Sequence, residues 1–164
     1  MVKIPIPDLM LPGIYQLTPA MLKRRGIKLL LLDLDNTLAP YNCRTPSVAL
    51  RNWLDGIRKA GIEPFLLSNN RGTRPAVFAK ALSLDYIGRA QKPNPKKLLT
   101  VLAKKGVSPE NAAIVGDQIY TDILCGVRAG VYSVAVRPID LKNPFRLLRY
   151  GLEKPFRMAY KSKK

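Results

Sequence analysis

Asp33-Leu34-Asp35-Asn36-Thr37 closes a run of leucines, Ser68-Asn69-Asn70 closes a second apolar run, and Gly116-Asp117 closes a third, with Asp122 five residues on. Lys92 stands between them in Gln91-Lys92-Pro93-Asn94-Pro95. An unpaired carboxylate at the position of Asp33, inside an apolar strand run, is costly. Asp35, two residues later, falls on the same side of an extended strand. If Asp117 converges on these two, the negative charges repel unless a cation joins them. Carboxylate oxygens, in a chain with no histidine, favour Mg²⁺ over softer metals. A lysine and a serine hydroxyl beside such a cation form a place for a phosphoryl group. The lack of histidine also excludes His-based triads, His-ligated zinc and imidazole general bases.

These residues need a scaffold that brings strand ends together, and the chain between them has that rhythm. The apolar runs Lys28–Leu34, Ile62–Leu67, Ala112–Val115 and Val131–Val136, and the shorter Tyr86–Gly88, are predicted strands. Between them, Pro46–Ala60, Thr73–Leu82, Pro95–Lys105 and Ile119–Ala129 carry apolar residues at helical spacing, and Gly61, Gly106 and Gly130 follow three of them as stops. Strand–helix alternation of this kind predicts an α/β fold: a doubly wound, Rossmann-like, parallel five-stranded sheet with helices on both faces. In such sheets ligands bind beyond the carboxyl ends of the strands, where the polar residues above fall. Upstream, Thr18-Pro19 predicts an N-capped helix over Ala20–Arg25. Three parts are expected: a proline-rich extension over 1–26, a core over 27–137, and a basic amphipathic tail over 138–164.

At these motifs the chain resembles the haloacid dehalogenase (HAD) superfamily of aspartate-nucleophile phosphatases. The likeness spans about Lys28–Val136 and includes all four ordered signatures: Asp33-x-Asp35-x-Thr37, Ser68, Lys92, and Gly116-Asp117 with Asp122. It implies that Asp33 attacks phosphorus and that Asp35 protonates the leaving alcohol and later deprotonates water. It implies further that Mg²⁺ is held by the carboxylates of Asp33 and Asp117 and the main-chain carbonyl of Asp35. Ser68, Asn69 and Lys92 would hold phosphoryl oxygens. Asp122 would reach the metal through water or orient Lys92. Thr37 is expected to order the loop through a side-chain-to-backbone hydrogen bond. An acid at position 35 points to transfer to water or an alcohol.

Members of that superfamily often carry an inserted cap domain. Neither the stretch from Asp35 to Ser68 nor that from Ser68 to Lys92 exceeds what one helix and one strand consume, so a HAD-like fold with no cap domain and an open site is expected. Leu17-Thr18-Pro19, Gly26-Ile27-Lys28, Asp33 to Leu38 and Lys92-Pro93 are similar to the capless IIIA branch, which includes phosphatidylglycerophosphate phosphatases. The resemblance therefore implies a lipid phosphomonoester as substrate.

Charge agrees with an anionic partner. The chain has 28 Lys and Arg against 11 Asp and Glu, a formal charge of +17, which attracts polyanionic surfaces. Phe145, Leu148 and Leu152 recur at helical spacing among arginines, as in a helix that lies in a headgroup region or one packed on the sheet. An anionic phospholipid substrate at a membrane surface is the leading expectation. Two alternatives remain: a nucleic-acid 3′-phosphatase, and an RNA- or membrane-docked binding module with a vestigial HAD site. The lone Trp53 in a predicted core helix offers no base-stacking platform. No apolar run is long enough to span a bilayer, no secretory leader is evident, and two cysteines suit a reducing compartment. The expected location is cytoplasmic, with peripheral membrane association. Cys43 and Cys125 are expected to be loop or core residues.

Overall fold

A computed structural model describes residues 3–161. The chain runs β1 (Leu9–Leu11), α1 (Pro19–Arg24), β2 (Leu29–Leu32), α2 (Val48–Lys59), β3 (Glu63–Leu67), α3 (Arg74–Leu82), β4 (Asp85–Ile87), α4 (Lys96–Lys105), β5 (Ala112–Gly116), a π-helical turn (Ile119–Ile123), α5 (Leu124–Ala129), β6 (Tyr132–Val136), α6 (Pro144–Leu152) and α7 (Lys154–Lys161). Caps follow local chemistry: Thr18 and Ser47 accept from Met21 N and Leu50 N to start α1 and α2, each satisfying a first-turn donor with no partner inside the helix.

The strands form one parallel sheet in the order β1-β6-β5-β2-β3-β4. The four leucines of β2 are wholly buried because they alternate between two cores. Leu30 and Leu32 pack with Leu22 of α1, Leu54 of α2 and Phe78 of α3. Leu29 and Leu31 pack with Leu98 of α4 and Cys125 of α5. Helices thus cover both faces, as a sheet of continuous apolar strands requires. From β2 the chain winds outward through β3 and β4, then crosses back to β5 and β6. The reversal lies between β2 and β5, and the crevice there is where open α/β sheets place ligands. Only α2 separates β2 from β3, and only α3 and β4 lie between β3 and Lys92, so no cap domain interrupts the sheet among the described residues.

Two expectations are corrected. The sheet has six strands rather than five: Leu9–Leu11 pairs with Val134–Val136 at its edge, and the Asp8 carboxylate accepts from both Ser133 N and Ser133 Oγ at 2.8 Å. A three-residue strand among prolines has too little pattern of its own to be recognised. The expected helix Ile119–Ala129 is split, because Ile119–Ile123 is a wider π-helical turn in which Ile123 N donates to Gln118 O. Pro144 and Pro155 divide the tail into two short helices, each proline standing in the first turn of one, where it costs no hydrogen bond. No helix of the described residues is long and apolar enough to cross a membrane.

Gly126 allows α5 to lie against the sheet. A Cβ at that position would stand 2.5 Å from Ile114 Cγ2 and 3.4 Å from Ser133 Cβ, and Ile114 is completely buried. Gly126→Ala is therefore expected to destabilise the fold by about 1–3 kcal/mol through overpacking. A lowered urea midpoint at unchanged slope checks this, and an unchanged midpoint would refute it.

Candidate active site

Each expected site residue lies where a strand ends or shortly after. Asp33 follows β2, Ser68 and Asn69 follow β3, Lys92 follows β4, and Asp117 follows β5. The β2 strand stops at Leu32, short of the expected Leu34, but Asp33 N still donates to Val115 O at 3.0 Å. That bond ties the start of one acidic motif to the strand that bears the other.

Asp33, Asp117 and Asp122 are all buried and offer carboxylate oxygens within 4.8 Å of one another. Lys92, also buried, stands among them. Its Nζ donates to Asp33 Oδ1 at 2.7 Å and to Leu67 O at 2.7 Å, and lies 2.6 Å from Asp122 Oδ1. Two ammonium protons are thereby used in hydrogen bonds, and the charge also pairs with Asp122. The second Asp122 oxygen accepts from Gln118 N at 3.1 Å, so this residue orients Lys92 and caps its own turn. Gly116 makes that approach possible: a Cβ there would lie 2.2 Å from Asp122 Cγ. The π-helical turn and the glycine together let Asp122 fold back over the end of β5.

Thr37 departs from expectation. Rather than ordering the loop through the backbone, its Oγ1 lies 3.0 Å from Asp33 Oδ2 and 3.2 Å from Asp117 Oδ1. A hydroxyl has one proton to donate, so it cannot satisfy two ionised carboxylates at once. Asp117 Oδ2 is buried with no hydrogen-bond partner. The protein alone therefore leaves this oxygen set under-satisfied, and the set fits a hard divalent cation such as Mg²⁺. The titration behaviour has the same origin. Burial, then the Asp122 charge, raises the Asp33 carboxyl from 3.8 to about 6 against the pull of Lys92. Burial, then Asp33 and Asp122, pushes Asp117 well above the usual carboxylate range. Burial works against the charge on Lys92, but Asp122 and Asp33 outweigh it and hold the ammonium above its ordinary value.

Asp35 is held by two residues that the sequence reading did not single out. Arg74 Nε donates to Asp35 Oδ1 at 2.7 Å, and Asn70 Nδ2 donates to Asp35 Oδ2 at 2.7 Å. Arg74 also donates to Pro40 O and Cys43 O and lies over the Phe78 ring. A groove lined by Tyr41, Cys43, Arg44, Thr73, Arg74 and Val77 adjoins this pair. Its only signal in the sequence was an arginine opening the helix after the Ser68 motif. Asn69, expected among the phosphate-binding residues, is spent on Lys92: its Oδ1 accepts from Lys92 N at 2.8 Å and its Nδ2 donates to Lys92 O at 2.9 Å. Ser68 Oγ accepts from Asn70 N at 3.1 Å, which leaves the hydroxyl proton for another acceptor. Cys125 is buried, and burial raises its thiol to about 11, so it is no thiolate at neutral pH.

The C-terminal helices also reach the site. Asn36, in left-handed backbone at φ 69°, accepts from Asp140 N and donates to Asp140 O, both at 2.8 Å. Arg157 of α7 donates to Asp117 O at 2.7 Å and to Glu153 Oε2 at 3.0 Å, while Glu153 Oε1 accepts from Ile119 N at 3.0 Å. The tail therefore clamps the loops after β2 and β5. Tyr41 lies under Arg146, whose guanidinium is 3.7 Å from the ring centroid. Burial, then the nearby Asp117 charge, raises the Tyr41 hydroxyl.

Comparison with known proteins agrees with this geometry. Residues 89–138 match the model of the HAD-hydrolase-like family. The Bacillus subtilis (strain 168) protein named Probable phosphatase YqeG is 31% identical over 140 residues, covering 85% of this chain and 81% of its own. Among solved structures, a 3-deoxy-D-manno-octulosonate 8-phosphate phosphatase from Moraxella catarrhalis, in complex with magnesium, phosphate and its sugar, superposes with a TM-score of 0.53 at 16% identity. That match covers 88% of this chain and 98% of the other. A hypothetical protein from Xanthomonas campestris gives a TM-score of 0.58 at 20% identity, covering 82% and 74%. The structural likenesses speak to the fold, and the Bacillus relative, matched over four-fifths of its length, speaks to the family: this chain belongs to the haloacid dehalogenase superfamily of phosphatases.

Proposed function

We propose that this protein is a Mg²⁺-dependent phosphomonoesterase that works through an aspartyl-phosphate on Asp33, with phosphatidylglycerophosphate as its substrate. The observation that carries the chemistry is the under-satisfied oxygen set of Asp33 and Asp117 around Thr37, with Lys92 already against Asp33. The carboxylates of Asp33 and Asp117 and the backbone carbonyl of Asp35 would hold the metal, which when bound offsets the repulsion between carboxylate and phosphate. Asp33 attacks phosphorus in line, forming an O–P bond as the ester O–P bond breaks. The departing oxygen takes a proton from Asp35, which must first have gained it from solvent, since both its oxygens accept hydrogen bonds in the structure. Asp35 then removes a proton from water as the water attacks the aspartyl-phosphate; phosphate leaves, and Asp33 is regenerated. Arg74 and Asn70 hold Asp35 at its place beside the groove. Lys92 and the Ser68 hydroxyl are placed to neutralise phosphoryl oxygens. The lipid assignment draws on the capless site, which leaves room for a bulky leaving group, and on the +17 charge.

Phosphate release from phosphatidylglycerophosphate in mixed micelles with Mg²⁺ tests this, beside a 3′-phosphorylated oligonucleotide and an aryl phosphate. Preferential turnover of the lipid is expected, with a loss of about three orders of magnitude or more in Asp33→Asn. Faster cleavage of the oligonucleotide would overturn the lipid assignment and leave the chemistry in place. Full activity in Asp33→Asn would overturn the chemistry itself.

A second expectation concerns pH. With the Asp33 carboxyl raised from 3.8 to about 6, the ion-free native state binds more protons in that interval than the unfolded chain. Its contribution to stability is present below pH 3.8 and lost as pH rises through about 6. Mg²⁺ binds the ionised form. The rise in Tm on adding Mg²⁺ should therefore be large at about pH 7.5 and small at about pH 5. Equal shifts at the two pH values would contradict the assignment of these carboxylates as metal ligands.

A further inference from the structure

We propose that the outward half of α6 is a docking face for an anionic bilayer, set beside the mouth of the active site. The inference rests on the phosphatase reading only for its purpose; the surface itself is argued from the helix. Phe145, Leu147, Leu148 and Leu152 share the solvent-facing half of α6 with Gly151, and all four side chains are exposed, Phe145 by 81%. No residue of α6 is fully buried, and no charge interrupts this half. Met158 of the following helix is likewise exposed, by 67%. Isolated exposed leucines are ordinary, but a contiguous apolar face on one short helix marks an interaction site.

Arg146 and Arg149 lie on the other side of α6, half-buried toward the site, where Arg146 stacks on Tyr41 and stands 3.6 Å from Asp140. The helix is therefore not free to turn its basic side outward. It is fixed at both ends, by the Asn36–Asp140 pair of hydrogen bonds before it and by Glu153 and Arg157 after it. Whatever covers the apolar face consequently sits at a fixed place relative to Asp117.

Charge selects the occupant. The exposed Lys142 and Lys154 flank α6, and the whole chain carries +17. A second copy would bring the same positive charge against this one. An anionic membrane instead accepts the apolar side chains among its acyl chains and the lysines among its headgroups. A phosphate on a lipid headgroup in that surface would then be presented at the level of an open, capless site.

The test is co-sedimentation of the full chain with vesicles of equimolar phosphatidylcholine and phosphatidylglycerol, and with phosphatidylcholine alone, across a salt series. Wild type is expected to bind the anionic vesicles, less well as salt rises, and to bind neutral vesicles weakly. The double variant F145E/L148E should weaken binding about tenfold or more, with cleavage of a soluble aryl phosphate unchanged. K142E/K154E should weaken it several-fold without touching the apolar face. Wild-type binding retained in F145E/L148E would overturn the proposal, as would a wild type that sediments with neither vesicle. A wild-type dimer that becomes monomeric in F145E/L148E would assign the face to a second copy instead. If aryl phosphate cleavage is absent in wild type while vesicle binding responds as expected, the phosphatase reading fails and the docking face stands.

Discussion

Asp33, Asp117 and Asp122 crowd their carboxylates into a region closed to bulk water, where one lysine pairs with Asp33 and Asp122 and the Asp117 carboxylate lies against the Thr37 hydroxyl. Fully ionised, that set keeps two uncompensated negative charges in a low-dielectric place, which proteins do not tolerate without a proton or a cation. Much of the surrounding structure can be read as what it takes to hold this arrangement. The parallel sheet brings the ends of β2 and β5 side by side at the reversal of strand order, so two acidic motifs 84 positions apart meet. Gly116 removes the Cβ that would block Asp122, and the π-helical turn swings that residue back toward Lys92. Asn69 fixes the backbone of Lys92 from both its amide and its carbonyl. A divalent cation there would bring the local charge to balance and would also supply the attraction that a phosphate dianion needs to approach an aspartate.

Asp35 belongs to a separate electrostatic unit. Its counter-charge is Arg74, and Asn70 takes its other oxygen. The two acids of the Asp-x-Asp motif thus have different partners although only a leucine separates them. One faces lysine, Thr37 and the proposed metal ligand Asp117; the other faces arginine and the groove that adjoins it. Two carboxylates in distinct environments can take distinct roles, one as nucleophile and one as acid and base.

The parts of this picture legible in the sequence were those encoded locally. Apolar runs with polar ends gave the strands, glycine stops and Thr18 gave the helix limits, and the acidic motifs fell at strand ends because that is where a buried strand meets solvent. What escaped notice depended on contacts between distant positions. Leu9–Leu11 becomes a strand only because β6 offers an open edge, and the partner of Asp8 is Ser133. Arg74 looked like any helix-opening arginine until α3 placed it over Asp35. Thr37 could be assigned a backbone bond from local rules, but its hydroxyl has two carboxylates in reach, one of them contributed by β5. In the tail, nine basic residues from Arg137 onward drew attention to charge, while the two acids among them, Asp140 and Glu153, make contacts with the core that only the fold reveals.

The buried Glu153–Arg157 pair illustrates why such contacts are retained. Burying a carboxylate and a guanidinium costs desolvation that their attraction roughly repays, so a pair of this kind adds little stability over apolar residues of the same shape. Burial indeed raises the Glu153 carboxyl despite the arginine beside it. What apolar residues could not do is satisfy Ile119 N and Asp117 O at once. Those two backbone groups flank the turn in which β5 gives way to the π-helical segment, a place where strand and helix ladders both run out of partners. By supplying one acceptor and one donor there, Glu153 and, in α7, Arg157 fix the loop that carries Asp117. The same pair anchors the chain just past α6, so one end of the exposed helix and the loop of a proposed metal ligand share a buried contact.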